Sequence, residues 1–397
     1  MSNYHCIEVC RACQSDLLFE IYKKNDIPIA GIYTNQDNYV NIHSPITIMI
    51  CEHCRLVQLK ETIDSSVYTE YHFVGNSSSS YEFYLNQLAR QLVEQFYLKE
   101  KDIFEIGASN GVLLKYLRRY GENNVFGIEP SIKLCEDAKG FDIHLDQGYF
   151  DRSYVNELNN KYDCVIIRHV LEHIDHLREV IFLISEILKD DGIVVVEVPS
   201  INEMVRKRNY SNVFHEHLNY FSEQTLNYLF TKIGFEPFFT KNVDIHGGAI
   251  FSVYKKAQDF IKVTNETAQV EIDEIISFFV ESDQYYKDIR KIVLDLIEKG
   301  KTVHGFGASH RTFTILGYAN LDKGHIPYIY DNNSLLHGKV LNGFGNVIVS
   351  PTFIQKFSPD AIVIFATSYE KEIREELKNK YGYKGEIISI RQEVVSK

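Results

Sequence analysis

The chain has 397 residues, 45% hydrophobic and 24% charged, a globular composition long enough for two or three domains. Its 42 Lys and Arg against 54 Asp and Glu leave a net charge of −12, which repels phosphate backbones and anionic lipid, so neither nucleic acid nor a membrane is expected as a partner. The longest apolar runs, such as residues 193–198, are strand-length and fall far short of the roughly 20 residues that span a bilayer.

The opening Met1-Ser2-Asn3-Tyr4-His5-Cys6 has neither a basic nor an apolar leader pattern, and a cytoplasmic location is the expectation. In a reducing compartment the seven cysteines serve as thiols or metal ligands and not as disulfides. Residues 1–75 read as a small β-rich module holding two CxxC pairs, Cys10-Arg-Ala-Cys13 and Cys51-Glu-His-Cys54. Each pair can chelate one side of a tetrahedral Zn(II), and four thiolates leave no open position for water, so the metal is structural. The run 75–80, Gly-Asn followed by four serines, reads as a hinge, after which Tyr81, Tyr84, Leu85, Leu88, Leu92 and Phe96 follow helical spacing.

Residues 76–255 alternate strand-like and helical runs. Strands are expected at 102–106, 125–128, 164–167 and 193–198 with helices at 111–119 and 177–188, and 235–239 with 249–254 form an antiparallel closing hairpin. This pattern predicts an α/β fold with a mainly parallel, doubly wound sheet. An amphipathic stretch at about 266–299 then leads into a second, smaller α/β domain at 256–397, with strands at 301–306, 326–330 and 361–365 and a helix at 369–380.

The first strand of the central region runs into Glu105-Ile106-Gly107-Ala108-Ser109-Asn110-Gly111 and then into a helix. The glycines are not spaced as in a dinucleotide fingerprint, and a carboxylate two residues before the first repels pyrophosphate while suiting a cationic ligand such as S-adenosylmethionine. The second strand ends Gly127-Ile128-Glu129-Pro130, which puts Glu129 22 residues after Gly107, where a carboxylate can take both ribose hydroxyls of an adenosine. A third strand-like piece at 142–145 ends at Asp146-Gln147, candidates for the adenine edge or a solvated loop.

Two histidine clusters follow. Arg168-His169-Val170-Leu171-Glu172-His173 lies beyond the 164–167 strand, with His169 and His173 spaced to share a helix face. Phe214-His215-Glu216-His217-Leu218-Asn219-Tyr220 lies beyond the fourth strand, after the basic run Arg206-Lys207-Arg208, which offers charge for an anionic substrate or forms a solvated loop. Neighbours at i and i+2 do not converge on one ion from a helix, so proton transfer, with a carboxylate orienting a histidine, suits this second cluster better than metal binding.

On these residues the chain resembles the sugar C-methyltransferase family of deoxysugar biosynthesis. The likeness runs nearly the whole length: paired CxxC knuckles, E-I-G-x-x-x-G, G-I-E-P, R-H-V-L-E-H-I, H-E-H-x-x-Y, His246-Gly247-Gly248 and a C-terminal G-x-G-A-S. It implies a zinc-binding module, a class I methyltransferase core and a C-terminal Rossmann-like α/β domain. It also implies methyl transfer from S-adenosylmethionine to the carbon beside the ketone of a nucleotide-linked 4-keto-deoxysugar. Carried over by position, His217 and Glu216 resemble the catalytic His and Glu, His173 resembles the histidine that holds the sugar, and His169 is expected at the donor. The family's active-site tyrosine corresponds to Tyr71, or to Tyr68. Phe214 stands where members with assigned C-methylation carry Tyr, and the C-terminal run Ala366-Thr367-Ser368-Tyr369 replaces a Trp-containing stretch. Both departures keep open an O-methyltransferase acting on a sugar, sugar nucleotide or glycan. A monomer suffices for this chemistry, and the sequence fixes no oligomeric state.

Overall fold

The computed structural model describes residues 3–38, 40–68, 79–257 and 272–391. Tyr71, most of the 75–80 hinge and the start of the 266–299 stretch lie outside the described residues. The central sheet has seven strands in the order Phe235–Val243, Ala249–Lys256, Leu188–Pro199, Tyr162–Arg168, Asp102–Ile106, Asn124–Glu129, Asp146–Gln147. All are parallel except Ala249–Lys256, which inserts antiparallel between its neighbours. The expected closing hairpin therefore forms with its second strand turned inward. The inner strands are mainly apolar, as Val194, Val195 and Val196 illustrate, because helices cover both faces of the sheet, and the buried ionisable residues Glu105, Arg168 and Glu197 stand near their carboxyl ends. The third-strand expectation at 142–145 is shifted: the ladder forms at Asp146–Gln147, opposite Ile128 and Glu129.

The sheet reverses direction between Asp102–Ile106 and Tyr162–Arg168, and the crevice beyond the carboxyl ends of those strands is where such sheets bind ligands. The Glu105 to Gly111 loop and the Arg168-His169 turn border it.

The C-terminal sheet also has seven strands, ordered Glu386–Ser389, Ala361–Ile364, Val303–Phe306, Tyr328–Tyr330, Val347–Val349, Lys339–Leu341, Tyr33–Asn35. Its last strand comes from the N-terminal region, with Tyr33 paired to Leu341. The N-terminal sheet in turn takes its edge strand, Asn219–Tyr220, from the histidine-rich segment, with Asn219 opposite Gln58 and Tyr220 opposite Val57. One hydrophobic core then joins Ile46, Ile48 and Val57 to Phe313 and Ile315 of the C-terminal domain and to the long helix Ile272–Glu298. The described part of the N-terminal region, residues 3–68, is thus not self-contained: a module too small to bury its own apolar face buries it against both other domains. No helix among the described residues is long and apolar enough to cross a membrane.

Candidate active site

The two CxxC knuckles close on each other. Cys10 Sγ lies 3.5 Å from Cys54 Sγ and Cys13 Sγ lies 3.5 Å from Cys51 Sγ, and all four sulfurs are within 4.8 Å of one another. Tetrahedral Zn(II) with Zn–S bonds of about 2.3 Å separates its sulfurs by about 3.8 Å, so the donor set fits a structural zinc. Gln58 Nε2 donates to Cys10 Sγ at 3.3 Å, holding that sulfur in place from the neighbouring strand.

At the central crevice, Gly107 has φ +68°, and a Cβ there would stand 2.5 Å from Val170 Cγ2. Glycine is thus required for a left-handed turn packed on Val170, a stricter demand than close approach of a ligand. The N–H groups of Gly107 and Ala108 both point to Ile128 O, and Gly111 donates to Ala108 O, folding the loop back with Asn110 half-buried at its tip. Glu129 is buried at the end of its strand, where its carboxylate accepts from Ser109 N at 3.0 Å and Ser131 N at 2.9 Å. Burial pushes its carboxyl up while those two N–H groups oppose the shift. Each oxygen keeps a lone pair for a further donor such as a ribose hydroxyl. Pro130 follows half-buried, and the exposed Asp146 and Gln147 lie alongside. Asp146 accepts from Tyr154 Oη at 2.6 Å.

Glu105 is buried, and burial, with Glu129 and Glu197 nearby, pushes its carboxyl to about 8 against the pull of Arg168. Its Oε2 has no hydrogen-bond partner among the described residues, an acceptor that a cationic or N–H group can satisfy. These groups fit an adenosine with a cationic side chain, and Glu105, the Gly107 loop and Glu129 could hold one.

Beside them Glu197, fully buried, accepts from Arg168 at 2.7 Å and lies 3.0 Å from His169 Nε2, while Tyr84 Oη donates to its other oxygen. Burial opposes ionisation, but the Arg168 charge and these hydrogen bonds hold the carboxyl well below the usual range. His169 is half-buried, and although desolvation opposes its charge, hydrogen bonds to Glu172 and Glu197 push it up to about 9, so the crevice carries a charged imidazole. His169 and His173 do not share a helix face as their spacing suggested. His169 takes φ +52° ahead of a short 3-10 turn, Leu171–His173, and the two rings face different partners.

His173 turns toward the second cluster: its Nδ1 donates to Glu216 O at 2.8 Å, and its ring centroid is 4.9 Å from that of His217. His217 is buried, and its Nδ1 has no partner among the described residues. Burial, reinforced by the charges of His173, His310, Arg311 and His169, holds its imidazole well below the ordinary value, so it is neutral at pH 7.

One expectation is corrected here. Glu216 makes no hydrogen bond to His217 among the described residues; its carboxylate pairs instead with His310 Nε2, 3.0 Å away, at the start of the C-terminal helix His310–Ala319. Burial alone would raise the Glu216 carboxyl, but the His310 charge holds it below the usual range, and Glu216 in turn raises His310. Gly31, at φ +80°, leaves room for the pair, since a Cβ there would meet His310 Nε2 at 2.6 Å and Glu216 Oε1 at 3.1 Å. Phe214 lies between the two histidines, with ring centroids 3.9 Å from His217 and 5.4 Å from His310. Its apolar ring takes the space between them without supplying a proton. His310 follows the G-x-G-A-S loop by one residue, and nothing local to that stretch marks it as belonging to this site.

The segment can transfer a proton: a neutral imidazole with an uncommitted nitrogen stands beside a second histidine of fixed tautomer. Glu172, His173 and His217 also bring ligand atoms within 4.8 Å of one another.

Residues 81–238 match a family described as a methyltransferase domain, and residues 244–390 one described as a C-methyltransferase C-terminal domain. C-methyltransferase NovU of Streptomyces niveus is 26% identical over 384 residues, covering 92% of this chain and 91% of that protein. Among solved structures, magnesium protoporphyrin IX methyltransferase of Synechocystis PCC 6803 is 17% identical, with 48% of this chain and 92% of that one covered and a TM-score of 0.36. An S-adenosylmethionine-dependent methyltransferase of Clostridium acetobutylicum is 11% identical, with 49% and 97% covered and a TM-score of 0.37. The fold and the two domain matches define an S-adenosylmethionine-dependent methyltransferase. Its relative NovU is matched through the N-terminal region as well as both of these domains. The chain carries a match to a methyltransferase domain followed by a match to a C-methyltransferase C-terminal domain, and it is similar to NovU through both.

Proposed function

We propose that the protein methylates the carbon beside the ketone of a nucleotide-linked 4-keto-deoxysugar by way of an enolate. The observation that carries this reading is His217, a buried neutral imidazole beside His173 on a turn that touches all three parts of the chain. Such a base removes the proton α to the ketone, and a donor near the oxygen stabilises the developing negative charge. Tyr71 is the candidate for that role, while His173, its Nδ1–H donated to Glu216 O, keeps Nε2 as an acceptor that can hold a sugar hydroxyl. Glu216 holds the turn against His310 and keeps the base oriented through the backbone. Bound S-adenosylmethionine supplies the electrophilic methyl. Glu129 takes its ribose, and the Gly107 loop and His169 frame its amino acid end.

Two measurements test the reading. Incubation of the protein and S-adenosylmethionine with a panel of nucleotide-linked 4-keto sugars is expected to add one methylene by mass. With S-adenosylhomocysteine as donor surrogate, the same sugar is expected to exchange its α-hydrogen in deuterated water. Methylation with no exchange would favour transfer to oxygen. For the donor site, Glu129→Ala is expected to weaken S-adenosylhomocysteine binding by about 2 kcal/mol in calorimetry, because a buried bidentate carboxylate contact is lost. Parental affinity would take Glu129 out of the site.

A further inference from the structure

Arg311 is the second residue of the His310–Ala319 helix, and it sits where the C-terminal sheet reverses direction, between Val303–Phe306 and Ala361–Ile364. One guanidinium nitrogen donates to Ser368 Oγ at 2.9 Å, beyond the carboxyl end of Ala361–Ile364. Another donates to His246 O at 2.7 Å, in the central domain. The guanidinium therefore spans the two domains on neutral acceptors alone, with no carboxylate in ion-pair distance among the described residues.

The basic run flagged in the sequence behaves otherwise. Arg206 pairs with Glu203, Lys207 with Glu203 and Asp244, and Arg208 with Glu281. Those charges are shared with carboxylates on their own helix and its neighbours, which Arg311 lacks among the described residues. Arg311 is only half-buried, which leaves it reachable, and its own neighbour His310 contacts Glu216 in the catalytic turn. A cation removed from much of its water without a counter-ion is costly, and an anionic ligand offsets that cost. The planar fork of arginine also matches phosphate oxygens in pairs.

We propose that Arg311 is the phosphate subsite of the acceptor, taking the diphosphate of the sugar nucleotide while the sugar ring faces His217 and His173. This rests on the nucleotide-sugar reading above and adds to it a residue, a domain and a direction. The acceptor lies across the domain junction, with its nucleotide end toward the C-terminal sheet. It also gives that domain a chemical task, since the two residues following its Gly-x-Gly-Ala-Ser loop reach the catalytic turn and the phosphate respectively.

The test is calorimetry on the full-length, zinc-loaded protein saturated with S-adenosylhomocysteine, titrated with dTDP, UDP, GDP and CDP and with inorganic pyrophosphate. The parent is expected to bind at least one nucleoside diphosphate, more weakly as salt is added, with pyrophosphate competing. Arg311→Gln is expected to weaken that binding at least tenfold, from the loss of a charge-assisted pair of hydrogen bonds, while leaving S-adenosylhomocysteine affinity within about twofold. Arg311→Met, which fills similar space with no polar group to bury, is expected to do the same and serves if the Gln variant does not fold. Parental affinity in either folded variant, or binding by the parent that added salt leaves unchanged, overturns the Arg311 assignment and leaves the nucleotide-sugar reading standing. A parent that binds none of the four nucleotides yet methylates a phosphate-free keto sugar overturns both.

Discussion

Replacing His217 by Ala is expected to lower kcat by roughly two to four orders of magnitude while S-adenosylhomocysteine affinity stays at the parental level. The residues proposed to hold the donor sit on the loop after Asp102–Ile106 and at the end of Asn124–Glu129, whereas His217 sits on a turn anchored to the N-terminal sheet, so the two proposed sites separate in a mutant. The variant is also expected to lose exchange of the sugar α-hydrogen with deuterated water, which isolates proton removal from methyl transfer. The pH profile carries a further signature. A free imidazole loses its function as a base when protonated near 6.5. Burial and the surrounding charges of His173, His310, Arg311 and His169 hold His217 well below that value. Activity is therefore expected to persist on the acid side of the ordinary imidazole range and to fall only as pH drops through the depressed pKa. Exchange that continues at the parental rate in His217→Ala would move the base elsewhere, with Tyr71 the first residue to examine.

Removal of zinc is expected to have an effect of comparable size, expressed as loss of structure. Structural Zn(II) in small thiolate sites contributes about 10 kcal/mol or more of folding free energy at pH 7, and the N-terminal region has little else of its own to hold it. Its strands carry the rest of the molecule with them: Tyr33–Asn35 is the edge of the C-terminal sheet, and Val57–Leu59 pairs with Asn219–Tyr220 directly after His217. Chelation, or Cys51→Ser, is expected to release one zinc per chain, lower the thermal midpoint and abolish methyl transfer together. Elemental analysis that finds no zinc in the pure protein, or a Cys51→Ser variant with unchanged metal content and midpoint, would refute this.

The ionic pair at the domain junction shows where local reading stops. Glu216 was legible as a carboxylate flanked by histidines, and orienting one of them was the natural role for it. In the folded chain it turns to His310, from a helix that begins 94 positions later (310 − 216). Proximity in sequence sets which backbone groups can meet, but the side chains of adjacent residues on a tight turn diverge, and the partner comes from whichever element packs over them.

The central domain was readable from the chain alone because its information is local. Parallel strands covered on both faces are mainly apolar, so residues 103–106 and 193–198 declare themselves in spite of Glu105 and Glu197, and the Gly107 loop and Glu129 follow from strand ends at fixed spacing. The zinc site was readable because chelation by CxxC is itself a short-range constraint. The third strand was misplaced because its ladder is two residues long, too short to carry a period. Tertiary structure alone decided that Tyr33–Asn35 leaves its own module for another sheet, that Asn219–Tyr220 closes the N-terminal one, that His310 arrives at Glu216 and that Arg311 arrives at the His246 carbonyl. Those choices depend on which apolar faces remain uncovered once each local element has formed, a quantity that no single stretch of sequence contains.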